Sequence, residues 1–140
     1  MTELTSEDME GRFLERFDRG CNIGVGPGWF PLLADLDDEL SAIDPDYRLR
    51  QVKQKFGGLS FYANMSDGAA GTPVDQGNPA YQRFYAAIRV AENASYRICE
   101  ECGDQGFMHT TRHGWLMTLC PACAVKEKAK PLRNKTNNAA

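Results

Sequence analysis

The sequence predicts an α+β fold: three helices and a β-hairpin form a body, with a treble-clef-like four-cysteine zinc module at the C-terminus. Three observations carry that expectation. Apolar residues recur at helical spacing across residues 29–43 and again across 81–95. Between them, YRLRQVKQKFGGLSFYA (47–63) places strand-forming residues on both sides of Gly57-Gly58. Four of the five cysteines fall in two pairs, CEEC at 99–102 and CPAC at 120–123. The chain divides accordingly into a body at 1–95, a metal-binding module at 96–130 packed on it, and a flexible tail at 131–140.

Thr5-Ser-Glu-Asp8 has the residue types to cap a first helix, which brings Met9, Phe13 and Phe17 to one side and ends near Gly20. The following GCNIGVGPGW (20–29) is glycine-rich but lacks GxGxxG and the Lys-Ser/Thr of a phosphate loop, so it reads as a turn. Cys21 has no motif-level histidine partner and reads as a buried structural thiol. In the second helix Trp29, Leu32, Leu33, Leu36, Leu40 and Ile43 share a face, and Asp44-Pro45 stops it. Asp35, Asp37, Asp38 and Glu39 read as its solvated side, with a docking surface as the alternative.

Within the hairpin, Leu59 and Phe61 point one way and Ser60 and Tyr62 the other. A loop rich in Gly, Asn, Asp and Pro follows at 64–77. Asn78 caps the third helix and Pro79 opens it; Tyr81, Phe84, Tyr85, Ile88, Ala91 and Ser95 line its inner face as core. After Cys123, AVKEKAK reads as a short helix ended by Pro131. Trp29, Leu33, Leu36, Leu59, Phe61, Phe84, Ile88 and Trp115 are expected to be buried.

The composition is that of an ordinary globular chain, 42% hydrophobic and 25% charged, which argues against wholesale disorder. No apolar run approaches the ~18 residues of a membrane span. The acidic start MTELTSEDMEGRF has no basic-then-apolar leader, so a cytoplasmic setting is expected. There, paired cysteines hold metal more often than they form disulfides. Charge is uneven. Residues 1–46 carry three Arg against twelve Asp and Glu, and residues 47–140 thirteen Lys and Arg against seven, so balances of −9 and +6 make up the net −3.

The cysteine pattern is Cys99-x2-Cys102-x17-Cys120-x2-Cys123. Two cysteines spaced by two reach one ion from a tight turn, and Gly103 accepts the backbone that turn demands. Thiolates in this number and spacing suit one structural Zn²⁺, with rubredoxin-like iron, two disulfides or unrelated thiols as the alternatives. GFMHT and GWLMTL read as two strands joined by TRHG, so knuckle, hairpin and helix follow in treble-clef order. Four cysteines close the coordination shell, which argues for structure rather than reaction. HNH nucleases share such pairs and often place histidine directly after the last cysteine; here that residue is Ala124. His109 and His113 could imitate the upstream histidines of that family, but read first as hydrogen-bonding or surface residues.

The chain resembles a group of small proteins encoded by bacteriophages and prophages. The likeness rests on GPGWFPLL (26–33), QVKQKFGGLSFY (51–62), AENAS (91–95), and CEECG with GWLMTLCPAC (114–123). Ser60 departs from it, since similar chains often place arginine there. The resemblance implies a phage-linked origin and one compact zinc-bearing domain, and assigns no catalytic residue. Together these features lead to a non-enzymatic accessory protein that binds a host or phage protein, for example to blunt a bacterial defence. The first alternative is nucleic-acid binding through Arg48, Arg50, Lys53 and Lys55 with Lys126, Lys128 and Lys130, aided by Arg133 and Lys135. The second is a divergent HNH-type nuclease.

Overall fold

The computed structural model of the chain describes residues 4–18, 20, 22–66 and 78–132. Helix α1 (Ser6–Phe13) starts on a reciprocal cap: Thr5 Oγ1 accepts the Asp8 amide hydrogen and Asp8 accepts that of Thr5. It ends sooner than Gly20. A 3-10 turn at Leu14–Arg16 follows, and Phe17 turns extended to bridge Leu49, so pairing with the sheet replaces further helical bonds. Met9, Phe13 and Phe17 are all buried, as their spacing requires. The expectation for Cys21 lies outside the described residues.

Strand β1 (Ile23–Gly24) lies parallel to β2 (Arg48–Lys55), which pairs antiparallel with β3 (Gly58–Asn64). An irregularity between Leu49 and Gln51 lets Leu49 and Val52, three residues apart, both face the core. Leu49 then pairs with Ala63 and Val52 with Phe61, while Tyr62 faces solvent. Lys55 pairs with Gly58, so the hairpin turn is Phe56-Gly57, one residue earlier than Gly57-Gly58. Both turn residues have positive φ, 53° and 87°, the twist-matched geometry of two-residue hairpins. The core-facing set Leu59, Phe61 and Ala63 dictates this register, because a one-residue slip would turn all three outward.

Helix α2 (Phe30–Ile43) and helix α3 (Pro79–Ser95) pack on one another, and α3 also covers β3. Asn78 caps α3 through the Ala80 amide, with Pro79 first in the helix. Trp29, Leu33, Leu36, Leu59, Phe61, Phe84 and Ile88 are buried as expected. Asp37 is not on a solvated face. It is buried and accepts from Tyr47 Oη at 2.6 Å, Arg12 at 3.0 Å and Arg16 at 3.0 Å, while the Arg16 guanidinium lies 3.8 Å from the Tyr47 ring centroid. Burial and the Asp37 carboxylate push the Tyr47 phenol well above its ordinary value.

Beyond α3, β4 (Phe107–Thr110) pairs antiparallel with β5 (Leu116–Leu119) and with β6 (Lys130–Pro131), and α4 (Pro121–Lys126) lies between β5 and β6 in the chain. Among the described residues the fold therefore mixes two three-stranded sheets with four α-helices. Helix α4 stops at Lys126, before Pro131, and the chain stays attached through Leu132, whose amide bonds the Met108 carbonyl. Residues 131 and 132 of the expected tail are thus attached to β4, and residues 133–140 and most of the 64–77 loop lie outside the described residues. No helix among the described residues is long and apolar enough to cross a membrane.

Candidate metal centre

The first cysteine pair sits in a knuckle closed by backbone bonds. The Cys99 amide donates to the Asp104 carbonyl at 2.7 Å, the Gly103 amide to Cys99 at 2.9 Å and the Gly106 amide to Arg97 at 2.8 Å. Gly103 adopts φ 86°, the conformation its lack of a Cβ allows. The second pair occupies the start of α4: Cys120 is the N-cap, and its Sγ accepts the Cys123 amide hydrogen at 3.4 Å. That amide draws the Cys120 thiol down to about 7.

The four sulfurs lie within 4.8 Å of one another, with Cys102 and Cys120 at 3.5 Å. A tetrahedral ion with metal–sulfur bonds of ~2.3 Å separates its sulfurs by ~3.8 Å. The set therefore fits one ion, and all four thiols are free of disulfides. Cys99, Cys120 and Cys123 are buried and Cys102 is exposed. Burial, and then the neighbouring thiols, push Cys123 up. The Asp104 backbone favours the Cys102 thiolate, but desolvation and the Cys120 and Cys99 thiols outweigh it and raise that group to about 11. Four thiols this close cannot all ionise without a cation among them, which is what a divalent metal supplies.

The sheet module is joined to the body by hydrogen bonds to its backbone and to two of its side chains. The Gly28 amide donates to the Glu100 carbonyl at 2.7 Å, Trp29 Nε1 to the Ile98 carbonyl at 2.8 Å, and the Gly26 amide to Glu100 Oε2 at 2.9 Å. Glu100 is buried, its Oε1 has no hydrogen-bond partner among the described residues, and burial raises its carboxyl above the ordinary range. At the other end Thr118 Oγ1 donates to the Gly57 carbonyl at 2.8 Å and Gln54 Nε2 to the Leu116 carbonyl at 2.7 Å. GPGWFPLL thus touches CEECG, and QVKQKFGGLSFY touches GWLMTLCPAC. Sequence reasoning named them separately and missed that they touch.

Of the two histidines, His109 is buried in β4 with Nδ1 2.7 Å from the Phe107 carbonyl, and His113 is exposed in the β4–β5 turn. Neither joins the cysteines; among the described residues, the sulfur cluster is the one group with metal-ligand proximity. Ala124 is buried in α4. The cationic residues divide between two places. Arg48 pairs with Asp18 and donates to the Glu15 carbonyl, and Arg50 donates to Asn64, while Lys53 and Lys55 remain exposed. Lys126, Lys128 and Lys130 are exposed on the metal module. Trp115, expected in the core, is 72% exposed. Leu116 and Thr118 face the hairpin turn, so strand alternation sends Trp115 and Met117 to the other side.

That module also bears a groove of about 560 Å³, with Phe107, Met108, Val125, Pro131 and Leu132 in its walls and His109 as its titratable group. Comparison of the chain with protein families, with curated proteins and with solved structures finds no match, so the site is read from its own geometry.

Proposed function

We propose that the protein is a non-enzymatic binding module whose treble-clef-like end is held by one structural zinc ion and presents an apolar groove to a partner protein. Zinc is favoured because four thiolates at tetrahedral separation suit it and leave no position for substrate water. The knuckle, the β4–β5 hairpin and the cysteine-bearing α4 stand in treble-clef order, with the module at 96–132 joined to the body at 4–95.

The groove carries the reading. Phe107, Val125 and Leu132 are 52%, 78% and 51% exposed around one concavity, more apolar surface than scattered single residues present. Its outer strand, β6, is two residues long and contains Pro131, which has no amide hydrogen to offer an added strand. The partner therefore enters with side chains, as the apolar face of an amphipathic helix. Lys130, exposed between the groove residues Ala129 and Pro131, selects acidic residues beside that face. With the phage likeness, the partner is a host or phage protein.

The test compares nuclease-treated bacterial lysate passed over the zinc-loaded chain and over Val125→Asp, which changes an exposed side chain and is expected to leave metal content and melting unaltered. A protein retained by the first and lost by the second, then purified and titrated, supports the groove. Equal retention by both removes it. A dimer that Val125→Asp dissolves makes the occupant a second copy and ends the foreign-partner reading.

A further inference from the structure

We propose that the cavity beside Trp115 is a second binding site, one that takes an unpaired nucleobase together with its neighbouring phosphate. It does not depend on the apolar groove. The cavity, about 410 Å³, is lined by Arg112, His113, Trp115, Met117, Lys126 and Lys128, with Glu127 at its edge. That volume lies within the ~300–1,000 Å³ usual for small-ligand sites.

The indole is presented on a prepared platform. In the β4–β5 turn the Thr111 amide donates to the Trp115 carbonyl at 2.7 Å, the Gly114 amide to Thr111 at 2.9 Å, and the Trp115 amide to Thr111 Oγ1 at 3.1 Å. Gly114, at φ 83°, completes the turn. The His113 ring stands 6.4 Å from the indole, tilted by 53°. Two flat rings on a turn held by its own bonds offer a stacking surface that loses little freedom when a base arrives.

Three permanent cations share this cavity with one carboxylate, Glu127. One of them is placed at a conformational penalty. Helix α4 ends with the Lys128 amide on the Val125 carbonyl and the Ala129 amide on Ala124, the double bond pattern whose left-handed residue is usually glycine. Here Lys128 takes φ 53°, a conformation glycine adopts without a Cβ clash. Strain of this kind concentrates at functional positions, and the side chain so placed is an ammonium beside the stacking rings. Base stacking and phosphate attraction together are the chemistry of single-stranded nucleic acid or of a free nucleotide.

The experiment uses the full zinc-loaded chain and fluorescence anisotropy of a labelled oligothymidylate of about twelve residues, within the range one such surface covers. The unlabelled strand, thymidine monophosphate and a duplex of the same length serve as competitors. Trp115→Ala is expected to weaken binding about tenfold, the loss of one stacked base. Lys128→Gly is expected to lower the slope of log K against log salt by about 0.7 while raising the melting temperature, a combination a purely structural lysine would not produce. Unchanged metal content shows that both variants are folded. Competition by the strand alone assigns a nucleic acid, and equal competition by the mononucleotide assigns a free nucleotide. Absence of saturable binding, preference for duplex, or equal affinity in Trp115→Ala overturns the site.

Discussion

Gly28 lies against the metal knuckle so closely that a Cβ on it would stand 2.1 Å from the Cys99 carbonyl oxygen and 2.6 Å from the Gly103 nitrogen. Its amide meanwhile donates to Glu100. A residue of the body therefore touches the backbone on both sides of the first cysteine pair, and the glycine is required by contact, not by its own φ.

Gly28→Ala consequently forces the knuckle and the body apart. Overpacking of this kind costs ~1–3 kcal/mol, read as a lower urea midpoint. Because the same contact shapes the first cysteine pair, the variant should also give up its metal faster to a chelator. Unchanged stability together with unchanged metal release would falsify the clasp.

Removing the metal should act more strongly still. Binding of this type is worth ~10–16 kcal/mol at neutral pH, against a total stability of ~5–15 kcal/mol for a domain. Cys102→Ser, exposed and thus chosen to spare the packing, should lose about one zinc per chain by elemental analysis. Amide exchange should then accelerate across 98–132. The main apolar core is confined to the body, with its own fully buried Trp29, Phe13 and Phe84, so exchange there should rise less.

Asp37 should prove the most sensitive acidic residue of α2. Replacing it with Ala leaves Arg16 and the Tyr47 hydroxyl without their shared buried acceptor. Breaking such a set costs ~3–5 kcal/mol, whereas Asp35→Ala, on the exposed side, should change stability by less than ~0.5 kcal/mol. Denaturant melts of the two variants side by side decide this.

Tyr47 adds a pH dependence of known sign. Its proton is held more tightly in the folded state than the ordinary ~10 of an unfolded tyrosine. The folded state therefore binds more protons above that pH, and the stability Tyr47 contributes is present below ~10 and lost as pH rises further. Tyr47→Phe should be less stable at neutral pH, by ~1–2 kcal/mol for the missing hydrogen bond, yet show a shallower decline above pH ~10 in thermal melts.

Ser95 is a further pressure point. It is fully buried, its Oγ accepts the Leu59 amide hydrogen at 2.8 Å and donates to the Glu92 carbonyl at 2.6 Å. Ser95→Ala keeps the volume close but strands the Leu59 amide, at ~1–3 kcal/mol. Faster exchange of that single amide, ahead of its neighbours in β3, is the readout.

What the sequence by itself determined is what depends on near neighbours along the chain. The Thr5–Asp8 cap, the Asn78-Pro79 start of α3, the apolar faces of α2 and α3, the inward and outward sides of β3, and the grouping of four cysteines all follow from local periodicity and spacing. Tertiary structure alone decided the rest. The hairpin turned at Phe56-Gly57 because its register answers to the core, not to the two glycines. Asp37 went inside because Arg12, Arg16 and Tyr47 converge on it from other elements, and Trp115 stayed outside because Leu116 and Thr118 face the body. The joint at Gly28 unites residues more than seventy positions apart, and periodicity holds no information about which distant backbones will touch. Such contacts are set by the packing of whole elements, and only the folded chain contains them.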